Sequence, residues 1–170
     1  NVPIQKIELA DTNTFKERGS TALYDAIGKG IDIINNIYDK NMRSNKYCNY
    51  LILIMTDGFD NSSHNYTSET IKTKIEQCKK NDIGVQYIAA NQNAEYYGST
   101  LGVQKEQCLT FIPTPLGMTS LMRSVSDSVS KYRKTGKSEF SDKIKKQLYQ
   151  NDTESINDLT LPPPPKISRV

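Results

Sequence analysis

The chain has 170 residues, which is long enough for one domain with its own core, although its hydrophobic fraction of 36% is low. Its net charge of +3 comes from 22 basic and 19 acidic residues that are interspersed, so the sequence lacks the basic stripe of a nucleic-acid-binding protein. The longest apolar run, residues 51–55, is far shorter than the roughly 20 residues of a membrane-spanning helix. Nucleic-acid and membrane partners are therefore not expected.

The three cysteines, Cys48, Cys78 and Cys108, are spaced 30 residues apart. An odd number without close pairs argues against a disulfide framework and against a zinc knuckle. We therefore expect reduced, mostly buried thiols and an intracellular, cytoplasmic location. The sequence carries no signal-peptide pattern, and its abrupt start at Asn1 favours a processed protein or an excised fragment.

The first part of the chain alternates between strand and helix patterns. Residues 4–9 alternate as an edge strand that follows Pro3. From Ser20 to about residues 39–41, apolar residues recur at helical spacing. The continuous apolar run at residues 50–55 then predicts a strand covered on both faces, which is typical of parallel sheets.

The remaining patterns continue this alternation. They predict a helix at 68–80, a strand at 83–89, a short helix at 94–101, a strand at 108–112 and a helix from Met118 to near Gly136. Strands that alternate with helices indicate an α/β fold, with a parallel sheet, right-handed crossovers and helices on both faces.

The composition changes after Gly136. Residues 137–170 are polar, with a partly helical stretch predicted at 140–148 and four consecutive prolines at 162–165 that favour polyproline II. We therefore divide the chain into an α/β domain at residues 1–136 and a polar, proline-rich extension at residues 137–170.

Oxygen-bearing side chains meet at one edge of the predicted sheet. Asp57 directly follows the strand at 50–55, and Thr21 lies in the turn before the first helix. Ligands of open α/β sheets bind beyond the carboxyl ends of the strands, and hard divalent cations take carboxylate and hydroxyl ligands. Thr21 and Asp57 are therefore candidate metal ligands, with Ser20, Asp60 and Asn61 as outer hydrogen-bonding partners.

The same residues also suit a purely structural interpretation. Thr56, Asp57 and Gly58 are common in ordinary strand-to-loop turns, and Ser20 or Thr21 can serve as a helix cap. Composition alone favours this structural interpretation over a metal site.

Five segments in chain order change that balance. They are residues 2–4 (VPI), 19–27 (GSTALYDAI), 55–63 (MTDGFDNSS), 88–94 (IAANQNA) and 131–133 (KYR). Together they resemble one branch of the von Willebrand factor A superfamily, which is common in phage and bacterial proteins. The resemblance implies that Thr21 is the second-loop metal ligand, that Asp57 is the third-loop acidic ligand, and that the metal is Mg²⁺ or Mn²⁺. It also implies that the carboxylate of a protein partner completes the coordination.

The sequence departs from that family in one respect. The family begins with a strand that ends in Asp-x-Ser-x-Ser, followed by a helix and a second strand, and none of these precedes Val2 here. The resemblance thus implies a Rossmann-like sheet without its first strand, first helix and second strand. The strand at 50–55 would then have an exposed edge that is open to association.

Two explanations of this departure remain open. The chain is either the C-terminal piece of a longer protein, which the start at Asn1 favours, or a truncated product in which residues 4–9 pair elsewhere.

Three function classes follow from these patterns. A metal-dependent protein-binding module is the first, and a metal-free scaffold of a larger assembly is the second. An enzyme is disfavoured because the sequence has no serine elbow and no phosphate loop, and its single histidine, His64, is expected in a solvated loop. Tyr96 and Tyr97 lie near the same edge, where they either contact a partner or simply pack.

Overall fold

A computed structural model of the chain describes residues 19–142 together with Lys6 and Lys145. The described part is a mixed α/β fold. Its elements are α1 (Leu23–Arg43), β1 (Leu51–Thr56), α2 (Ser68–Lys80), β2 (Gly84–Ala90), α3 (Ala94–Thr100), a 3₁₀ turn at Lys105–Gln107, β3 (Cys108–Phe111) and α4 (Pro115–Thr135). The predicted alternation of strands and helices is therefore confirmed for this part of the chain.

The three strands form one parallel sheet in the order β1–β2–β3. Met55 of β1 lies opposite Ile88 of β2, and Tyr87 of β2 lies opposite Cys108 of β3. Since the strands are parallel, the loops that follow them all leave the same edge, which we call the C-terminal edge. The Asp57 loop and residues 91–93 both leave from this edge.

Helices cover both faces of the sheet, as predicted. On one face, three helices pack against β2. The core there contains Ile27 and Ile31 of α1, Ile71 and Ile75 of α2, Ala94 of α3, and Val85, Tyr87 and Ala89 of β2. On the other face, Leu121 of α4 packs with Ile88, Leu109 and Phe111. The single strand β2 thus contributes alternate side chains to both cores, which explains why its whole length is buried.

The strand β1 is not covered on both faces, so the prediction of two-sided burial is wrong for it. Leu53 is 38% exposed and Met55 is 43% exposed, whereas Ile54 on the opposite face is buried. The reason is position: within residues 19–142, β1 pairs with β2 on one side only. Apolar composition predicted a buried strand, but only neighbouring elements can supply the cover.

Local capping explains most helix boundaries. Thr67 caps α2 reciprocally with Thr70, and the helix has the predicted bounds. Thr114 caps α4, Pro115 occupies its first turn, and Gly136 ends it in the left-handed conformation at φ 71°. The helix therefore begins before Met118, where the prediction placed its start, because Pro115 is accepted at a first turn.

The chain stays in contact with the domain beyond Gly136. Phe140 is buried in the α4 face of the sheet, and its backbone N–H donates to the carbonyl of Glu106 at 2.8 Å. Ser138 is buried and accepts a hydrogen bond from the amide of Gln107 at 2.6 Å. The division at residue 136 stays a prediction, with these few residues docked on the folded part.

Several predictions fall outside the described residues. These are the strand at 4–9, of which only Lys6 is described, the resemblance at 2–4, most of the helical stretch at 140–148, and the prolines at 162–165. Among the described helices, none combines the length and apolar character that crossing a membrane requires.

Candidate functional site

The two segments with candidate metal ligands lie side by side at the C-terminal edge. Asn61 links them twice: its side-chain oxygen accepts the backbone N–H of Thr21 at 2.8 Å, and its own N–H donates to the Thr21 carbonyl at 2.9 Å. These residues are 40 positions apart in sequence, so the fold brings them together. Asn61 thereby fixes the backbone of one candidate ligand residue.

The turn that carries Asp57 is held from within. The Thr56 hydroxyl donates to the Gly58 carbonyl at 2.7 Å and accepts the Gly58 N–H at 3.2 Å. Thr56 itself is buried at the end of β1, whereas Asp57 is exposed. The turn therefore directs the Asp57 carboxylate away from the core and fixes where its backbone lies.

The Thr21 hydroxyl lies directly against this turn. A Cβ placed on Gly58 would stand 3.3 Å from the Thr21 hydroxyl oxygen, so any side chain at position 58 would crowd it. Within residues 19–142, neither that hydroxyl nor the Asp57 carboxylate takes part in a hydrogen bond or an ion pair. The Thr21 hydroxyl thus lies beside the turn that carries Asp57, and neither it nor the Asp57 carboxylate is engaged by another described residue.

The structure contradicts the alternative that Ser20 or Thr21 caps the first helix. The residue at the N-cap of α1 is Ala22, and no side chain of its own segment caps the helix. Instead, Asp60 accepts the N–H of Tyr24 at 3.1 Å, and the Ser63 hydroxyl accepts the N–H of Asp25 at 3.0 Å. The loop after β1 therefore caps α1 from across the site, and the helix begins later than the predicted start at Ser20.

Asp25 anchors this arrangement, and sequence reasoning missed it. Its carboxylate accepts the backbone N–H groups of His64 (3.1 Å), Asn65 (2.9 Å) and Tyr66 (3.0 Å), and also the side-chain amide of Asn65 at 2.9 Å. Burial alone would raise the pKa of Asp25, but these hydrogen bonds to the charged form lower it below its usual value. The sequence does show an acidic residue in the first turn of α1, where a carboxylate commonly lies. Its hydrogen-bond partners, however, lie about 40 residues away, and no local pattern predicts them.

Ser20, Asp60 and Asn61 were predicted as outer hydrogen-bonding partners of the metal, and the structure gives the position of each. Asn61 holds Thr21, Asp60 holds the start of α1 and accepts a short hydrogen bond from Ser63, and Ser20 is exposed. Asp60 and Asn61 thus use side-chain oxygens to join the two loops. Their role as outer partners of a metal stays a prediction.

The donor chemistry fits a hard cation, but the number of protein ligands is small. Mg²⁺ favours about six oxygen ligands, several of which are commonly waters. Thr21 and Asp57 supply two, and no group of three or more histidine, cysteine, aspartate or glutamate side chains able to hold a metal occurs among the described residues. A cation here would depend on water and on ligands from a partner.

A further polar group lies at the end of β2. Gln92 is only 7% exposed, and its side-chain oxygen has no hydrogen-bond partner in the described part of the chain. Asn93 caps α3 by accepting the N–H of Tyr96 at 3.0 Å. Residues 91–93 thus form a third polar loop at the C-terminal edge.

Comparison of the chain with protein-family models, with curated proteins and with solved structures gives no match in any of the three.

Proposed function

We propose that this chain is part of a von Willebrand factor A-like binding module with a Rossmann-like sheet. In this proposal the module recognises an acidic side chain of a protein partner through Mg²⁺ or Mn²⁺. Thr21 and Asp57 hold the cation, and the partner's carboxylate takes an open position. The observation that carries the proposal is that the Thr21 hydroxyl lies against the Asp57 turn. Neither this hydroxyl nor the Asp57 carboxylate is bonded to another described residue.

The surrounding residues suit a binding role. The cation, when bound, supplies positive charge that attracts and orients an anionic ligand. Asn61 fixes Thr21, Thr56 fixes the Asp57 turn, and Asp25 holds the following loop to α1. These contacts hold the backbone beneath both oxygen groups, so binding would require little reordering of the backbone.

We propose no enzymatic activity for this site. The Thr21 hydroxyl and the Asp57 carboxylate do not include a nucleophile paired with a base, and such a pair is the first requirement for covalent catalysis. The free thiols of Cys48, Cys78 and Cys108 support an intracellular setting for the module.

Calorimetric titration of Mn²⁺ and Mg²⁺ tests the metal proposal. We expect binding that Asp57→Ala abolishes and that Thr21→Val weakens, because valine keeps the shape of threonine without its hydroxyl. Thr21→Ser, which keeps the hydroxyl, should bind as the parent does. Asp127→Ala, which removes an exposed carboxylate from α4, is the matched control for a change in charge. No heat of binding up to millimolar metal would contradict the proposal.

A metal-independent scaffold is the second candidate. It is favoured by one observation: Asp60 and Asn61, expected near the metal, are already engaged in joining the two loops. In that case Asp57→Ala would leave both partner binding and stability unchanged. Partner binding that survives a chelator but is lost on deleting the loop at 57–63 would support the scaffold.

A further inference from the structure

A cavity of about 310 Å³ lies beside the candidate metal site, on the sheet face covered by α1, α2 and α3. Ligand pockets commonly measure about 300–1,000 Å³, so this one suits a single side chain or a small molecule. Its walls are mainly aromatic: Tyr24, Phe59, Tyr87, Tyr96 and Tyr97 line it, together with Asp60. We call it the aromatic pocket.

Three rings of the aromatic pocket contact each other, with Tyr97 between Phe59 and Tyr96. The centroids of Phe59 and Tyr97 lie 4.7 Å apart with a tilt of 58°, and those of Tyr96 and Tyr97 lie 5.1 Å apart and nearly perpendicular. Tyr87 is 2% exposed at the inner end, while Phe59 and Tyr96 are 43% and 50% exposed at the mouth. Exposed aromatic side chains next to a cavity are typical of binding surfaces.

The phenol groups of the aromatic pocket are unused. Within the described residues, the hydroxyls of Tyr24, Tyr87, Tyr96 and Tyr97 make no hydrogen bond. Burial, with the nearby Tyr24, Cys108 and Tyr97, raises the pKa of Tyr87 to about 12, so its phenol stays neutral. The pocket therefore offers neutral hydroxyls as well as ring faces.

The charge of the pocket is negative. Among the described residues, Asp60 is the one charged residue in its wall, and no lysine, arginine or histidine lines it. One oxygen of Asp60 accepts the N–H of Tyr24, whereas the other accepts no hydrogen bond from a described residue. Burial raises the pKa of Tyr24, and the negative charges of Asp60 and Glu69 raise it further. An anion would be repelled here, and a cation attracted.

We propose that the aromatic pocket binds the basic side chain of a protein partner, arginine first and lysine second. Aromatic faces attract guanidinium and ammonium groups through their ring quadrupoles, and arginine also stacks flat on a ring. Asp60 supplies the opposite charge, and the free phenols supply acceptors for its N–H groups. This inference goes beyond the metal proposal and does not depend on it, because no residue of the pocket needs a cation in place.

Nα-acetylarginine methylamide is the probe, and its neutral citrulline analogue is the control of matched shape. We would follow the tyrosine ring signals by NMR with a chelator present, so that the result does not depend on divalent metal. We expect the arginine derivative to bind at least about tenfold more tightly than the citrulline derivative, and to bind less tightly as salt is added. Equal binding of the two, or no saturable shift with either, would overturn the proposal.

Variants at the mouth locate the binding to this pocket. Tyr96→Ala should weaken arginine binding by about 3- to 30-fold, the usual range for one cation–π contact, whereas Tyr96→Phe should bind nearly as well as the parent. Asp60→Asn removes the charge but keeps an oxygen that can accept the Tyr24 N–H, and it should also weaken binding. Circular dichroism would check that each variant is folded. If Asp60→Asn does not fold, the Tyr96 pair decides alone, and unchanged binding by Tyr96→Ala would overturn the proposal.

Discussion

The adjacent strands β1 and β2 have similar apolar compositions but different surroundings. All seven residues of β2 are buried, whereas only Ile54 and Thr56 are buried among the six residues of β1. Met55 and Ile88 show the contrast directly, since they lie opposite each other in the sheet and yet are 43% and 0% exposed. Apolar composition therefore predicts that a strand can be buried, whereas the neighbouring elements determine how much of it is buried.

The two ends of β1 also differ. At its start, Tyr132 of α4 donates a hydrogen bond to the Tyr50 carbonyl at 2.6 Å and accepts the Gly84 N–H at 3.2 Å. At its other end, the Asp57 turn is exposed and carries the candidate site. Within residues 19–142, the strand is thus anchored at its start, whereas its other end is exposed and one of its edges is unpaired.

The largest effect should come from Ile88→Ala. Removing a fully buried isoleucine from the middle strand leaves a cavity, so we expect a loss of about 2–5 kcal/mol in the free energy of unfolding. Urea denaturation followed by circular dichroism measures this change. A loss below about 1 kcal/mol would mean that β2 is not the packed centre of the sheet.

Tyr132→Phe should have an intermediate effect. It removes only the hydroxyl that ties α4 to Tyr50 and Gly84, and one such hydrogen bond contributes about 0.5–1.5 kcal/mol net. The same denaturation measurement applies, with Tyr47→Phe as the control because Tyr47 is 84% exposed. If both variants changed the free energy of unfolding equally, the hydrogen bonds of the Tyr132 hydroxyl would contribute no more to stability than an exposed hydroxyl does.

Met55→Ala should have a smaller effect than either. Because its side chain is largely outside the core, we expect a loss below about 1 kcal/mol. Met55→Lys should also reduce concentration-dependent association in analytical ultracentrifugation, since a charge on an edge strand opposes pairing between copies. If Met55→Ala instead matched Ile88→Ala, another part of the chain would have to cover β1.

Thiol reactivity should distinguish the exposed segment before β1 from the buried parts of the domain, and it requires no destabilising substitution. Cys48, just before β1, is exposed, whereas Cys78 and Cys108 are buried. Burial raises the pKa of Cys78, and it raises that of Cys108 to about 12, so both stay protonated at neutral pH. With a chromogenic disulfide reagent, one thiol should react rapidly in the native protein. Cys48→Ser should abolish that rapid phase, and a second rapid thiol would contradict the burial of Cys78 in α2 or of Cys108 in β3.

Local sequence signals predicted much of the fold. The helix at Ser68–Lys80 was predicted at its bounds because the apolar residues Ile71, Ile75 and Cys78 recur at helical spacing. The end of α4 at Gly136 was predicted for the same kind of reason, since glycine accepts the left-handed conformation. The start of α1 was predicted too early, because its caps come from Asp60 and Ser63 in a distant loop.

The candidate site was predictable in part. Asp57 follows β1 at the C-terminal edge, and the turn before α1 lies against the Asp57 turn, as expected. The hydrogen bonds of Asp25 and the walls of the aromatic pocket were not predictable, because they join residues from loops and helices that are far apart in sequence. No local pattern encodes such contacts.

Hydrogen exchange of the β1 amides, measured by NMR, tests most directly whether the edge of β1 that is unpaired within residues 19–142 is unpaired in the whole chain. Since the Tyr50 carbonyl accepts the Gly84 N–H and backbone direction alternates along a strand, Ile52 and Ile54 face β2, while Leu51, Leu53 and Met55 face away from it. We predict that these last three amides exchange at least about a hundredfold faster than those of Ile52 and Ile54. Equal protection of all five would contradict the account, because it would mean that the edge is already paired in this chain.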